Sequence, residues 1–315
     1  MGEVFSLFGQ PVTMFGLGAA LSMLVLFAAS GLYWSRKGVT FPVTVRFAFL
    51  ALPLAFVMGR LVFVLGNVTY YWETLSNPAL ALRFWDGGYA MTGVIAGILL
   101  AAVICGKWTR TSAGVMLDGA MYGVLPALMT ERLFEGFTEL GLGRSPSYDW
   151  LSALCVDDGY GFLVHPVYRY EAAVALVLFV IITCWVIRNK AIPSGDTALV
   201  TLSLLGTTQV IMESLRSDGH MIIFHFVRLQ QILFLVGAVV VLIIFCVRAA
   251  KKGNIKTSHQ LALWLAVVAC IGVGIWMEFR VDRGPYKWLY YTVLIACMAV
   301  ITSLTLGVRK LSNRK

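Results

Sequence analysis

The sequence predicts an all-α integral membrane protein: a polytopic helical bundle of seven spans plus two further C-terminal spans, with a small loop head on the outward side. Three observations carry that expectation. Of the 315 residues, 59% are hydrophobic and only 13% are charged, against about 45–50% and about 25% in soluble domains. Nine runs reach the roughly 20 mainly apolar residues that a bilayer crossing requires. The basic residues gather in alternate loops, as they do where a chain crosses a membrane repeatedly.

The nine runs are 12–34, 42–66, 89–106, 112–137, 167–188, 195–215, 227–248, 259–278 and 286–308. The first lacks a basic leader and a small-residue cleavage site, so it reads as a retained span rather than a signal peptide. Arg36, Lys37 and Arg46, then Lys107 and Arg110, Arg188 and Lys190, the basic residues of 248–256 and those of 309–315 share one side. That bias places the N-terminus outside and the C-terminus in the cytoplasm. It also accounts for the net charge of +9, which in a soluble chain would have pointed to nucleic acid; no nucleic-acid partner is expected. The six cysteines show neither CxxC nor Cys/His spacing. No metal site, disulfide framework or cofactor is expected, and Cys155 reads as structural.

By composition the chain divides into a membrane body, 1–248, a basic cytoplasmic linker, 249–258, and a two-span extension, 259–315. The extension carries the outward loop "MEFRVDRGPYKWLYY", which reads as part of a simple anchor. Covering a substrate entrance or recruiting a partner are the alternatives. The other outward loops, 67–88 and 138–166, hold aromatics, acids and His165.

Ionisable residues inside spans are expensive and mark candidate sites. Here they are Arg60, Asp118, Glu131, Arg132, Glu135, Arg169, Glu171, Glu213 and Arg216. Glu131 and Glu135 are i,i+4 with Arg132 between them, and Glu213 and Arg216 are i,i+3, so each group shares a helix face. These residues are expected to converge at the outward end of the bundle. The bland alternative is that they pair with one another and only fix the helices. The obvious matches leave two arginines over, and a guanidinium fork near headgroup level suits a phosphate. In "RFWDGGYAMTG", 83–93, Gly87 and Gly88 are expected at positive φ before a span, whose N-terminus would face an anion. Gly93 and Gly97 fit a small-xxx-small packing pattern.

Seven segments in order then carry a resemblance: "FSLFGQPVTMFGLG", "GRLVFVLGN", "RFWDGGYAMTGVIAGIL", Asp118 before "ERLFEGFTELGLGR", "HPVYRYEA", "MESLRSDGH" and "QQIL". Over about 5–245 the chain resembles the prolipoprotein diacylglyceryl transferases of bacterial inner membranes. The resemblance implies transfer of diacylglycerol from phosphatidylglycerol to a lipobox cysteine thiol of a preprolipoprotein, with release of glycerol phosphate. It implies phosphate-holding roles for Arg132 and Arg216, a supporting acid in Glu213, a signature glycine in Gly143, and binding roles for Tyr170, Glu171 and Gln231. With Arg60, Gly87, Gly88 and Thr92, these complete the expected substrate-binding set. The chain departs from the family pattern at three places. Thr92 stands where the family has a histidine, Phe15 where it has a tyrosine, and Glu135 where it has an asparagine. Glu135 or His165 is therefore expected as the replacement base, beside Arg132 and Arg216 in the catalytic set. The alternative function is a non-catalytic homologue that binds phospholipid or lipoprotein precursors. A transporter is disfavoured, since no broken span pair recurs in two halves.

Overall fold

The computed structural model describes residues 3–7, 10–75, 77–84, 87–189, 191–217, 221–223 and 227–314. The protein is an all-α, multi-span membrane protein. Among the described residues nine helices are long and apolar enough to cross a bilayer: α1 (Met14–Ser35), α2 (Phe41–Gly66), α3 (Met91–Trp108), α4 (Ala113–Glu135), α5 (Val167–Arg188), α6 (Asp196–Leu215), α7 (Leu229–Lys251), α8 (Thr257–Arg283) and α9 (Lys287–Ser312). Three two-stranded antiparallel pairs lie between them: β1 (Glu3–Leu7) with β2 (Gln10–Thr13), β3 (Val156–Asp157) with β4 (Leu163–Val164), and β5 (Ile222–Ile223) with β6 (Val227–Arg228).

The helices start where local chemistry lets them. Thr13 caps α1 by accepting from Gly16 N at 3.1 Å, satisfying one of the orphan N–H groups of a first turn. Pro42 sits in the first turn of α2, where a missing N–H costs nothing. Asp118, inside α4, accepts from Gly195 N and Ala198 N, both at 2.8 Å, and so caps α6 from a neighbouring helix. This corrects the expectation that every in-span charge lies at one end. Asp118 and Glu135 stand near opposite ends of α4, about 25 Å apart at 1.5 Å per residue, and the carboxylate is held by backbone N–H groups.

The chain forms two compact units, one of 1–198 with 216–221 and one of 199–215 with 222–315. In the first, α4 packs against α1, α3 and α5, and α2 packs against α3. A Cβ on Gly93 would lie 2.3 Å from Met58 O, and one on Gly97 would lie 2.3 Å from Leu54 O. These glycines therefore let α2 and α3 touch backbone to backbone, the packing role their spacing suggests. In α4, Gly119 leaves room for the Trp34 indole of α1, and Gly123 lies against the Ser30 hydroxyl and Leu26 O of the same helix. α4 is the most enclosed span, with 67% of its apolar window buried, against 17% for α8. In the second unit α9 packs against α7 and α8.

Candidate active site

Four charged side chains from three elements of the first unit close into a buried network. α4 ends on Arg132 and Glu135, and Arg132 Nη1 donates to Glu135 Oε2 at 2.5 Å. Glu171, fully buried in the first turns of α5, faces Arg132 Nε. Arg216 Nη2 donates to Glu135 Oε1 at 2.6 Å, and its Nη1 lies 3.3 Å from Glu171 Oε2. Two guanidinium groups thus share two carboxylates, and Glu131 adds a third at 3.5 Å from Arg132 Nε. Arg132 and Arg216, the two arginines expected to hold a phosphate, are thus both matched by carboxylates. In a low-dielectric setting such a charge-balanced square costs far less than isolated ions, and Glu135 has one oxygen committed to each arginine.

Backbone geometry brings Arg216 there. The stretch Gly141–Arg144 is flanked on one side by His165–Tyr168 and on the other by Arg216–Ser217. Gly143 N donates to His165 O at 2.7 Å, His165 N to Arg144 O at 3.0 Å, and Tyr168 N to Gly141 O at 3.0 Å. Ser217 N donates to Leu142 O at 2.9 Å, its hydroxyl donates to Gly143 O at 2.9 Å, and Gly143 bridges Arg216. Arg216 is extended, at φ −71° and ψ 144°, so the helical i,i+3 relation to Glu213 ends one residue before it. Gly141, unremarked in the sequence, has φ +72°, and a Cβ there would meet Glu135 Oε2 at 2.9 Å. Both the turn and the carboxylate require glycine. The run "GLG" was the signal available for it.

Arg60 is buried but carries its charge elsewhere. Its Nε donates to Ala81 O at 3.0 Å, its Nη2 to Leu80 O at 3.3 Å, and its Nη1 to Gly87 O and, at 3.2 Å, to Gly88 O. The guanidinium also lies over the Tyr71 ring, 5.7 Å from its centroid. Arg60 thus clamps the segment before α3 through carbonyl oxygens. Gly87 and Gly88 have φ +78° and +75°, and a Cβ on Gly88 would strike the Phe63 ring. α3 follows at Met91, whose sulfur accepts from Arg132 Nη2 at 3.5 Å. Thr92 is the next residue, so the start of α3 reaches the charged network. Arg169 is exposed and stacks on Tyr168 at 5.6 Å, outside that network.

His165 Nδ1 lies 3.1 Å from Tyr170 Oη and 3.6 Å from Cys155 Sγ. Burial lowers the imidazole pKa below its ordinary value, so the ring is neutral near pH 7 and able to take a proton. Burial pushes the Cys155 thiol up, which keeps it protonated and ties it to its hydrogen bonds rather than to nucleophilic work.

In the second unit, Glu213 accepts from Gln230 Nε2 at 3.2 Å, and its other oxygen stands 4.0 Å from Arg228 Nη1. Gln231 Oε1 accepts from Arg228 N at 2.8 Å, while its Nε2 donates to Val210 O and to Glu278 Oε1, each at 3.2 Å. Glu278 belongs to α8 and was missed in the sequence, where it reads as one more charge of an outward loop. His220, in the segment 212–220, lies outside the described residues.

Spans, an arginine–glutamate network at the end of α4 and a glycine-shaped turn beside it define a polytopic membrane protein with a buried charged site. The family model of prolipoprotein diacylglyceryl transferase matches residues 3–247, which leaves α8 and α9 outside the match. A phosphatidylglycerol–prolipoprotein diacylglyceryl transferase of Clostridioides difficile (strain 630) is 25% identical over 256 residues, 81% of this chain and 98% of that protein. One of Streptococcus equi subsp. equi (strain 4047) is 26% identical over 225 residues, 69% of this chain and 83% of that protein. The chain belongs to the prolipoprotein diacylglyceryl transferase family.

Proposed function

We propose that the protein is a phospholipid-dependent transferase of the bacterial inner membrane, moving diacylglycerol from phosphatidylglycerol to the cysteine thiol of a lipoprotein precursor. The observation that carries this reading is the placement of Arg132 and Arg216 side by side on two shared carboxylates, in a chain of this family. The charge bias of the loops supports an outward position for that end of the bundle. With Glu135 and Glu171 holding both forks in plane, a phosphodiester competes for guanidinium groups that are already oriented, so little is lost in ordering them.

The chemistry follows from those charges. A thiolate attacks the glyceryl carbon that bears the phosphate; a C–S bond forms, the C–O bond breaks, and glycerol phosphate leaves with the electron pair. The two arginines meet the charge developing on the leaving oxygen. His165, neutral near pH 7, takes the thiol proton in place of the imidazole absent at Thr92, with Tyr170 fixing the ring. Glu135 orients the arginines. Gly87 and Gly88, held by Arg60, set the approach to Thr92, while Gly143 and Glu171 shape the remaining surface that takes the substrate.

A second reading has its own support. Thr92 cannot act as a base near pH 7, and a homologue that only binds phospholipid or a lipoprotein precursor would need the arginines alone. Purified protein with phosphatidylglycerol and a lipobox peptide separates the two, run beside Arg132→Ala, Arg216→Ala and His165→Asn. Glycerol phosphate release lost in all three variants supports the transferase. Lipid binding without release supports the binder, and neither binding nor release sinks both.

A further inference from the structure

The loop between α4 and α5 ends in a hairpin that aims two chemically active side chains at each other. β3 and β4 pair Val156 with Val164 and Asp157 with Leu163, and Asp158 N donates to Phe162 O at 3.0 Å to close the turn. Gly159 and Gly161, at φ +88° and +89°, supply the left-handed positions of the reversal. Carried one step the other way, the same register sets Cys155 opposite His165. Residues facing each other across an antiparallel pair bring their side chains together, and Cys155 Sγ lies 3.6 Å from His165 Nδ1. The backbone of His165 is pinned as well: its N donates to Arg144 O at 3.0 Å, and its O accepts from Gly143 N at 2.7 Å.

Two further contacts decide where the protons sit. The Cys155 thiol has one proton, which it donates to Leu151 O at 3.4 Å; a carbonyl can only accept. The sulfur therefore meets the ring with a lone pair, and Nδ1 carries the hydrogen between them. Tyr170 Oη stands 3.1 Å from the same Nδ1, so one N–H serves an oxygen and a sulfur. In a neutral imidazole a proton on Nδ1 leaves Nε2 bare. No hydrogen bond among the described residues engages Nε2, and burial favours the neutral ring by lowering its pKa.

We propose that Cys155 is a positioning residue: set against His165 by the hairpin, it holds the proton on Nδ1 and so reserves Nε2 as the atom that receives the proton of the acceptor thiol. The proposal rests on the transferase reading above, in which His165 is the base. A cysteine kept only for packing would be indifferent to which ring nitrogen is protonated. The test records 15N spectra of the full chain labelled at histidine, in detergent at about pH 7.5, where the imidazole is neutral. A protonated and a bare ring nitrogen resonate in well-separated regions, and His165→Asn assigns the signal among the four histidines. Cys155→Ala, Cys155→Ser, Tyr170→Phe and Cys184→Ala are compared, the last removing an exposed thiol of α5.

The expected parent spectrum has Nδ1 protonated and Nε2 bare. Cys155→Ala lowers the ratio of the Nδ1–H to the Nε2–H form by about threefold, the worth of one weak hydrogen bond. Tyr170→Phe shifts the ratio the same way, Cys155→Ser keeps an acceptor and the parent ratio, and Cys184→Ala changes nothing. In glycerol phosphate release, kcat follows the Nδ1–H fraction across the parent, Cys155→Ala and Cys155→Ser, while KM stays within about twofold. A parent that carries its proton on Nε2 overturns the proposal and leaves the transferase standing. So does a ratio that Cys155→Ala leaves unmoved, or that Tyr170→Phe moves the other way. A parent with a bare Nε2 that releases no glycerol phosphate overturns the transferase reading and, with it, the role given to Cys155.

Discussion

Glu135 and Arg216 lie 81 positions apart along the chain and 2.6 Å apart in space. Because Glu135 also holds Arg132, removing its charge leaves two buried guanidinium groups sharing Glu171 alone, with Glu131 beside Arg132 only. Glu135→Ala is expected to cost about 3–5 kcal/mol, read as a lowered denaturation midpoint in mixed micelles. A variant that loses turnover while keeping the parent midpoint would show that Glu135 acts in chemistry rather than in holding the arginines.

Arg60 is a clamp whose value lies in its fork. Arg60→Lys keeps the charge but offers a single ammonium to the carbonyls of Leu80, Ala81, Gly87 and Gly88. Amide exchange at 80–84 and 87–90 is expected to quicken by about tenfold or more, since two or more hydrogen bonds are lost at about 1 kcal/mol each. Parent-like protection in this variant would mean that the segment is held by its own turns.

The sign of the pH response follows from His165. Its pKa is lowered in the folded protein by burial, so the unfolded chain binds a proton first as pH falls. The stability it contributes is full above about 6.5, the ordinary imidazole value, and is lost as pH drops through the folded pKa. Thermal midpoints measured from pH 7.5 to 5 should fall in the parent and fall less in His165→Asn. The same slope in both would assign the acid sensitivity to other groups.

Gly97→Ala would drive a Cβ to 2.3 Å from Leu54 O, whereas Gly237 has nothing within 4 Å of the corresponding position. The first substitution is expected to lower stability by about 1–3 kcal/mol, and Gly237→Ala to leave it level or raise it slightly. Comparing denaturation midpoints of the two variants checks the close approach of α2 and α3.

Thr92→His restores an imidazole one residue from Met91, which touches Arg132. If His165 substitutes imperfectly for that base, glycerol phosphate release should rise by about tenfold or more, within the range general-base groups contribute. A flat response would mean that proton removal does not limit the reaction.

The nine spans were legible because hydropathy and length decide membrane helices almost alone. The pairing of Arg132 with its neighbours was legible too, since it rests on helical spacing. The partners of Arg216 were not: Glu135 and Glu171 are 81 and 45 positions away, and only the backbone ladder through Gly141–Arg144 sets that meeting. Asp118 looked like the other in-span charges because sequence gives residue type and not depth. Glu278 was hidden for the opposite reason, placed among the charges of a loop when α8 in fact runs on to Arg283.

Asp118 has a consequence for how the chain is built. The apolar windows of α4 and α6 have mean hydropathies of 1.3 and 1.4, against 2.9 for α7. They are the least greasy of the nine long helices, and each carries a group the other satisfies: a carboxylate on one, bare N–H groups on the other. Two such segments leave the insertion machinery most favourably as a couple. α4 therefore waits for α6, and a nascent chain stalled before Gly195 would hold an acid in the bilayer with its backbone partners still unmade.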